Sequence, residues 1–384
     1  MITIKNKADC CGCGACQQSC PKGCITLEPD SEGFLYPKVD EKACVNCGLC
    51  EKVCPILRKQ KTPPEEVAAY AGYITDPEIR EASSSGGLFS VLAQEILRRD
   101  GVIAGAAFDD DFSVRHILIE KDEQMHRLRG SKYVQSRMED TYIQIRTLLK
   151  QGRAVLFTGV ACQVAGLKAF VGRDYDNLYT VDVLCHGVPS PQVWKQYLVQ
   201  QQHCYGADIQ GASFRHKRRG WKSFSMVLDF DNQKQYHETL NEDAYMRLFL
   251  ANICLRPSCH SCRFKDFPRQ SDLTIGDAWG IEKHIPELDD DRGTSVVLIN
   301  SEKGRGLWDA VAGKLVFRSG SMDVLLPKDS DSRRSVRPHS NRTRFFTALN
   351  RGDSLEQLVK LTRKSPMRRF LSCGKRTMKR LLRK

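Results

Sequence analysis

Two cysteine runs near the amino end carry chemistry in their spacing: Cys10-x-x-Cys13-x-x-Cys16-x-x-x-Cys20-Pro21 and Cys44-x-x-Cys47-x-x-Cys50-x-x-x-Cys54-Pro55. Thiolates so spaced wrap cubane iron-sulfur clusters. Three take corners of one cube, and the fourth, just before proline, reaches the neighbouring cube. The expected ligation is therefore crossed, with Cys10, Cys13, Cys16 and Cys54 on one 4Fe-4S cluster and Cys44, Cys47, Cys50 and Cys20 on another. Such a chain moves electrons. A zinc site of Cys-x-x-Cys pairs explains neither the third cysteine of each run nor the two Cys-Pro endings. Gly12, Gly14 and Gly48 suit a backbone that approaches a cube closely. Cys11 and Cys24 fall outside the ligand spacing and read as small thiols filling space.

A second set of cysteines follows from the elements that must position it. Residues 154–157 read as a buried strand, 162–171 as a helix and 178–184 as another strand. This βαβ crossover implies parallel strands in a sheet covered by helices. Cys162 and Cys185 follow the two strands and should both emerge at the carboxyl edge, where open α/β folds place ligands. Cys162 also starts a helix, which favours its thiolate. Cys259-His260-Ser261-Cys262 lies in a loop before a strand at 273–275. Cys162, Cys185, Cys259 and Cys262 are thus candidates for a third 4Fe-4S cluster. The alternative is a zinc loop of Cys254, Cys259, Cys262 and His260, and Cys254 also competes for the fourth cluster position. Cys204 reads as a packed thiol, and Cys373 lies in the tail without partners.

A chain of 384 residues exceeds one ordinary core. The pattern divides it into an α+β ferredoxin-like two-cluster domain (1–58), a stiff Pro-Pro linker (59–66), an α/β body with a mixed sheet and an antiparallel insertion (67–330), and a basic, partly helical tail (331–384). In the body, a serine-capped helix from 83 to 99 precedes strands at 102–108 and 114–120. Helices at 139–150, 191–202 and 244–252 and strands at 212–215, 225–231, 235–239 and 296–299 follow. The amino terminus lacks a signal-peptide pattern, so the 17 cysteines are expected to stay reduced in the cytoplasm. No apolar run suffices for a membrane span. The net charge of +13 is uneven: from Asp331 onward, 17 Lys and Arg face 3 Asp and Glu, which leaves 42 against 43 before it. The body is neutral, and its composition gives no reason to expect nucleic-acid binding.

Clusters pass single electrons whereas organic substrates exchange two, so an enzyme built this way commonly needs a flavin. Neither a Gly-x-Gly-x-x-Gly turn nor a P-loop occurs. Two other stretches could seat a phosphorylated cofactor. Ser83-Ser84-Ser85-Gly86-Gly87 offers hydroxyls and N–H groups at a helix start, and Arg129-Gly130-Ser131-Lys132-Tyr133-Val134-Gln135-Ser136 combines cations, hydroxyls and a ring. Taken alone, the first equally suits a helix cap and the second a surface loop.

These two stretches, the double cluster motif, Phe157-Thr158-Gly159-Val160-Ala161-Cys162-Gln163, Val183-Leu184-Cys185-His186-Gly187-Val188-Pro189-Ser190, Leu255-Arg256-Pro257-Ser258-Cys259-His260-Ser261-Cys262 and Asp272-Leu273-Thr274-Ile275-Gly276-Asp277-Ala278-Trp279-Gly280 occur in order. In this the chain resembles the beta subunit family of coenzyme F420-reducing hydrogenase and F420-dependent dehydrogenases, with a fused two-cluster ferredoxin domain. The resemblance implies an FAD-binding body that exchanges a hydride with a deazaflavin or similar partner and passes electrons to clusters. On that basis Ser84, Ser85, Gly86, Gly87, Ser131, Lys132 and Tyr133 become flavin contacts, and the third cluster gains support. Two motifs depart from the family's: Gly-Thr-Pro-Cys is here Gly159-Val160-Ala161-Cys162, and Gly-Asp-Phe-Trp-Gly is Gly276-Asp277-Ala278-Trp279-Gly280. Both departures bear on substrate identity more than on cofactor content.

The leading expectation is an iron-sulfur flavoprotein oxidoreductase working with a redox partner protein or a small two-electron donor, with Asp277 and His186 as candidate proton handlers. The rival is a non-catalytic ferredoxin-type electron carrier that docks on a partner enzyme. In the tail, Leu358, Leu361, Met367, Phe370, Leu371, Met378, Leu381 and Leu382 recur among Lys and Arg. That pattern suits basic amphipathic helices lying peripherally on an anionic membrane face or on an acidic partner.

Overall fold

The structure, a computed structural model, describes residues 1–58 and 68–363. The linker expected at 59–66 and the tail beyond 363, with Met367, Phe370 and Cys373, lie outside the described residues. The amino-terminal unit holds a hairpin of β1 (Ile25–Pro29) and β2 (Leu35–Val39), paired antiparallel. Each cysteine run makes one short helical turn, Ala15–Gln18 or Leu49–Lys52, entered through a left-handed glycine, Gly14 at φ 74° or Gly48 at φ 73°. The sequence duplication is thus a duplication of backbone shape, and glycine is the residue that takes this φ without strain.

The body's strands are β3 (Ala68–Ile74), β4 (Val102–Phe108), β5 (Val114–Ile119), β6 (Val155–Val160), β7 (Leu178–Val183), β8 (Ile209–His216), β9 (Ser225–Phe230), β10 (Gln235–Thr239), β11 (Leu273–Asp277), β12 (Ser295–Ile299) and β13 (Leu315–Gly320). One sheet has the order β13-β3-β12-β11-β7-β6-β4-β5. Its centre, β4-β6-β7-β11, is parallel, and antiparallel strands flank it on both sides. The helix Ala161–Val171 makes the expected crossover between β6 and β7. β8, β9 and β10 form a separate antiparallel sheet, the expected insertion. The body is therefore α/β with a large mixed sheet. Among the described residues, no helix is long and apolar enough to cross a membrane.

Three details differ from the sequence reading. The helix after the serine stretch is Leu88–Arg98, capped by the left-handed Gly87, so the serines are left for other contacts. The edge pair β3 and β13 is additional. β3 reads Ala-Ala-Tyr-Ala-Gly-Tyr-Ile, poor in β-branched residues, because the neighbouring strand lies close: a Cβ on Gly72 would stand 2.4 Å from the Val316 carbonyl oxygen. The expected tail also starts too early. Helices Arg342–Arg351 and Leu355–Lys360 bury Phe345, Phe346, Leu349, Leu355, Leu358 and Val359 in the main core with Trp194, Tyr245 and Phe34. Leu358 is a core residue, not part of a lipid-facing stripe.

Leu358→Ala is accordingly expected to cost about 2–5 kcal/mol in denaturant unfolding, as deletion of a buried leucine does. A lipid-binding tail position would leave stability unchanged.

Candidate functional site

The two amino-terminal cysteine runs enclose two cavities with crossed membership. One is lined by Cys10, Cys13, Cys16 and Cys54 with Pro55, the other by Cys20, Cys44, Cys47 and Cys50 with Pro21. Cys24 joins the second, its Sγ 3.3 Å from that of Cys20. Among the described residues, no three Cys, His, Asp or Glu side chains converge closely enough to share one ion. A cube holds its thiolates around a volume, and each of these two sets lines one cavity. Burial pushes the Cys16 thiol up to about 12. A thiol in such a place releases its proton to solvent only when a bound cation takes the proton's place on the sulfur. The Ile2 N–H donates to Cys50 Sγ at 3.3 Å.

The third set also assembles. Cys162 lies in the first turn of Ala161–Val171, Cys185 just past β7, and Cys259 and Cys262 in the turn Pro257–Ser261 and directly after it. Their charges are mutually felt: Cys185 and Cys262 act on Cys162, and Cys185 and Cys262 act on Cys259. Burial pushes Cys185 up to about 11 and Cys259 up to about 12. The expectation of a lowered Cys162 is corrected, because a hydrogen bond with Cys11 and then burial raise it well above the ordinary thiol. Cys254 is fully buried in the main core beside Tyr245, and His260 Nδ1 bonds the Val336 carbonyl at 3.0 Å. The zinc-loop grouping is not assembled.

Two buried cations face these thiols. Arg256 is 1 % exposed; its guanidinium donates to the carbonyls of Cys10 (2.8 Å) and Leu35 (2.9 Å), to Gln135 Oε1 (3.0 Å) and, at 3.5 Å, to Cys10 Sγ. It stacks over Tyr36 at 4.3 Å. Lys265 donates to the carbonyls of His186 (3.0 Å), Asp331 (2.5 Å) and Arg334 (3.0 Å), and the thiols of Cys185, Cys262 and Cys259 favour its charged form against the burial that lowers it. Among the described residues Arg256 has no carboxylate partner within salt-bridge distance. A cation so buried calls for compensating negative charge, which thiolates caging a cluster supply. The residues therefore fit iron-sulfur cubes.

A cleft of ≈ 280 Å³ opens at the carboxyl ends of β4, β6, β7 and β11, lined among others by Ala106, Val160, Val183 and Asp277. Both candidate cofactor stretches border it, and they touch: the Ser131 N–H donates to Ser84 Oγ at 2.7 Å. Gly86 N–H donates to Ser295 Oγ, and a Cβ on Gly86 would stand 2.6 Å from the Gly72 carbonyl oxygen. Lys132 folds its ammonium onto the carbonyls of Leu128, Arg129 and Gly130, and burial brings its pKa down to about 7. Cys11, Gly12, Cys162 and Cys185 also line this cleft.

Asp277 and His186 both line the cleft, each already partnered. Asp277 accepts both ends of the Arg215 guanidinium (2.8 and 3.1 Å) and the Trp221 indole N–H (3.1 Å), so it reads as an anchor for Arg215 and not a proton carrier. Arg215, which the sequence did not single out, also donates to the Tyr133 hydroxyl (3.1 Å) and the Ser84 carbonyl (3.3 Å), tying the two stretches to β11. A lone arginine in a strand gives no local signal, since its partners are far away in sequence. His186 Nε2 bonds Asn252 Oδ1 at 2.6 Å, its Nδ1 stands 3.6 Å from an Asp331 oxygen, and burial lowers its pKa. The buried His116, also outside the sequence reading, bonds Ser136 and the Thr158 carbonyl through its two nitrogens and is held down to about 4 by burial.

Residues 9–56 match the family described as 4Fe-4S dicluster domain. Residues 69–141 match the amino-terminal domain, and residues 152–323 the carboxyl-terminal domain, of the family described as Coenzyme F420 hydrogenase/dehydrogenase, beta subunit. Among solved structures, the chain is similar to one in "Xenon derivatization of the F420-reducing [NiFe] hydrogenase complex from Methanosarcina barkeri", at 16% identity and a TM-score of 0.45, over 78% of this chain and 90% of that one. No curated protein matches.

Replacing Arg256 by methionine leaves the Cys10 and Leu35 carbonyls without their buried donor. The expected loss is about 3 kcal/mol or more in anaerobic denaturant unfolding, from unsatisfied buried acceptors.

Proposed function

Because the chain belongs to the coenzyme F420 hydrogenase/dehydrogenase beta subunit family and carries a 4Fe-4S dicluster domain at its amino end, we propose that it is an iron-sulfur flavoprotein oxidoreductase linking a two-electron donor, coenzyme F420 or a similar carrier, through FAD to three 4Fe-4S clusters. The observation that carries this reading is a shared wall: Cys162 and Cys185 of the third set, and Cys11 of the amino-terminal unit, line the same cleft as the serine-glycine turn and the Gly-Ser-Lys-Tyr loop. FAD bound there would exchange electrons in pairs with the donor and singly with the clusters.

The chain's own residues then divide the work. The first turn of Leu88–Arg98 faces the cleft through Gly87, Leu88 and Phe89; the Gly87 carbonyl takes the Ser90 N–H, and the N–H groups of Leu88 and Phe89 offer a seat for a phosphate. Ser84, Ser85 and Gly86 shape that seat, and Ser131, Lys132 and Tyr133 close it from the other side. Arg215, anchored by Asp277, fixes the Tyr133 hydroxyl and the turn together. His186, whose pKa burial lowers, lines the cleft 3.6 Å from the exposed Asp331, and we assign it the proton transfer. Cys10, Cys13, Cys16 and Cys54 would hold one cube, Cys20, Cys44, Cys47 and Cys50 a second, and Cys162, Cys185, Cys259 and Cys262 the third. The exposed Cys47 puts the second cage at the surface, within reach of a redox partner protein. Reduced thiols of this kind belong in the cytoplasm.

Anaerobically purified protein should contain about twelve irons and one FAD per chain. Iron and sulfide without flavin would overturn the enzyme reading in favour of a pure electron carrier. A second outcome follows from Lys132, whose ammonium loses its proton as pH rises through about 7. FAD affinity of the deflavinated protein should be level below that pH and fall above it. In Lys132→Gln, fluorescence titration should show weaker binding without this dependence.

A further inference from the structure

The serine-glycine turn borders a second cavity, a recess of ≈ 610 Å³ that shares Ser83, Ser84 and Gly130 with the cleft. Its wall carries Lys217, Arg215 and Arg292, together with His216, Glu78 and Glu81. Lys217 is 8 % exposed, and its Nζ donates to the carbonyls of Arg80 (2.5 Å) and Ser85 (3.0 Å). An ammonium has three N–H donors, so one is left over. Room for it comes from Gly293, where a Cβ would stand 3.1 Å from Nζ and 2.7 Å from the Ser85 carbonyl oxygen. Among the described residues no carboxylate lies within salt-bridge distance of Lys217; Glu81 and Asp277 act on it from farther off, and Arg80 and Arg215 oppose them.

The other charges of the recess sort by depth. Arg215 is buried and already offset by Asp277, and its Nε has no hydrogen-bond partner. Glu78, Glu81, His216 and Arg292 are exposed, where water and salt screen them. A buried ammonium without a counter-charge calls for one, and the recess it lines is where a bound anion can supply it. Phosphate suits the place. Lysine acts on phosphate as a compact point charge, and Arg292 can take further oxygens from the surface. The Ser84 hydroxyl accepts the Ser131 N–H and keeps its own hydrogen to give.

We propose that this recess seats a phosphate group of the two-electron donor, held by Lys217 and Arg292, while the donor's reacting end enters the cleft across the shared wall of Ser84 and Gly130. The donors it favours are therefore phosphorylated. The seat assigned to the FAD phosphate is separate, since Leu88 and Phe89 line the cleft and not the recess. The inference rests on the flavoprotein reading, and the experiment separates the two.

The test is calorimetric titration of the full chain, purified anaerobically with its flavin counted, using inorganic pyrophosphate as the probe at constant ionic strength. The flavin-loaded protein should bind pyrophosphate saturably. Lys217→Met should weaken binding about tenfold or more, as loss of a charge-assisted hydrogen bond does. Arg292→Gln, an exposed change that keeps the fold, should weaken it about two- to fivefold. Unchanged affinity in Lys217→Met would overturn the proposal, and where that variant does not fold, unchanged affinity in Arg292→Gln would do so. Binding that appears only after the flavin is removed would overturn it too, by giving the recess to FAD. The donor is tested with a pair that differs by one phosphate: pyrophosphate should slow flavin reduction by reduced deaza-FMN and not by reduced deazariboflavin. Equal inhibition of both would overturn the assignment to the donor. Protein that never holds flavin would instead remove the flavoprotein reading, and pyrophosphate binding that still depends on Lys217 and Arg292 would then uphold the anion seat alone.

Discussion

The architecture turns on a buried guanidinium. Arg256 sits inside the protein, with backbone carbonyls, an amide oxygen and a cysteine sulfur around it and two aromatic rings, Tyr36 and Phe34, against it. Such a charge is tolerated when its hydrogen bonds are filled and negative charge stands nearby. Its partners belong to three separate stretches: Cys10 in the first cysteine run, Leu35 in the hairpin and Gln135 in the cleft loop. Arg256 itself is three residues before Cys259. One side chain therefore sets the spacing between the amino-terminal cages, the third thiol set and the cleft.

The rest of the docking follows from that placement. Phe34 enters the body's main core at the hairpin turn and meets Phe346 edge-on at 6.4 Å. Glu32 beside it takes both ends of Arg342 at 2.7 and 2.5 Å. Gln18 Oε1 accepts the Tyr142 N–H at 2.8 Å, and Arg58 reaches the Ala169 carbonyl at 3.3 Å. The unit that holds two cages thus shares a core and buried polar contacts with the body. These contacts hold the unit against the body, so the distances between the cages and the cleft do not vary as they would between tethered domains.

Legibility in the sequence followed the range of the physics. The crossed membership of the two amino-terminal cages was readable because the cysteine-proline spacing encodes it within a dozen residues. The βαβ unit was readable because buried parallel strands are continuous apolar runs, and that alone put Cys162 and Cys185 at one edge. β3 was not readable, since its single glycine, Gly72, answers to a neighbour more than two hundred residues away. The same holds for Arg215, whose partners Asp277 and Ser84 come from distant strands and turns. The carboxyl-terminal helices were misread for a related reason: their leucines alternate with Arg and Lys as they would on a membrane, and only the aromatic core beneath them decides which face is buried.

Cys11 shows how far a reading by spacing can go. Next to Cys10 it breaks the ligand rhythm, and a rule about rhythm can only discard it. The fold places the discarded thiol at the cleft by bringing the run against the helix Ala161–Val171. There Gly166 leaves room for Cys13, and Cys11 comes to line the same cleft as Cys162. The same helix is the crossover between β6 and β7, so the parallel sheet that creates the cleft also fixes the distance from the cleft to the first cage. The cleft, Cys162 of the third thiol set and the seat of the first cysteine run thus meet on one helix packed on one sheet edge, and a change that tilts that helix alters their spacing together.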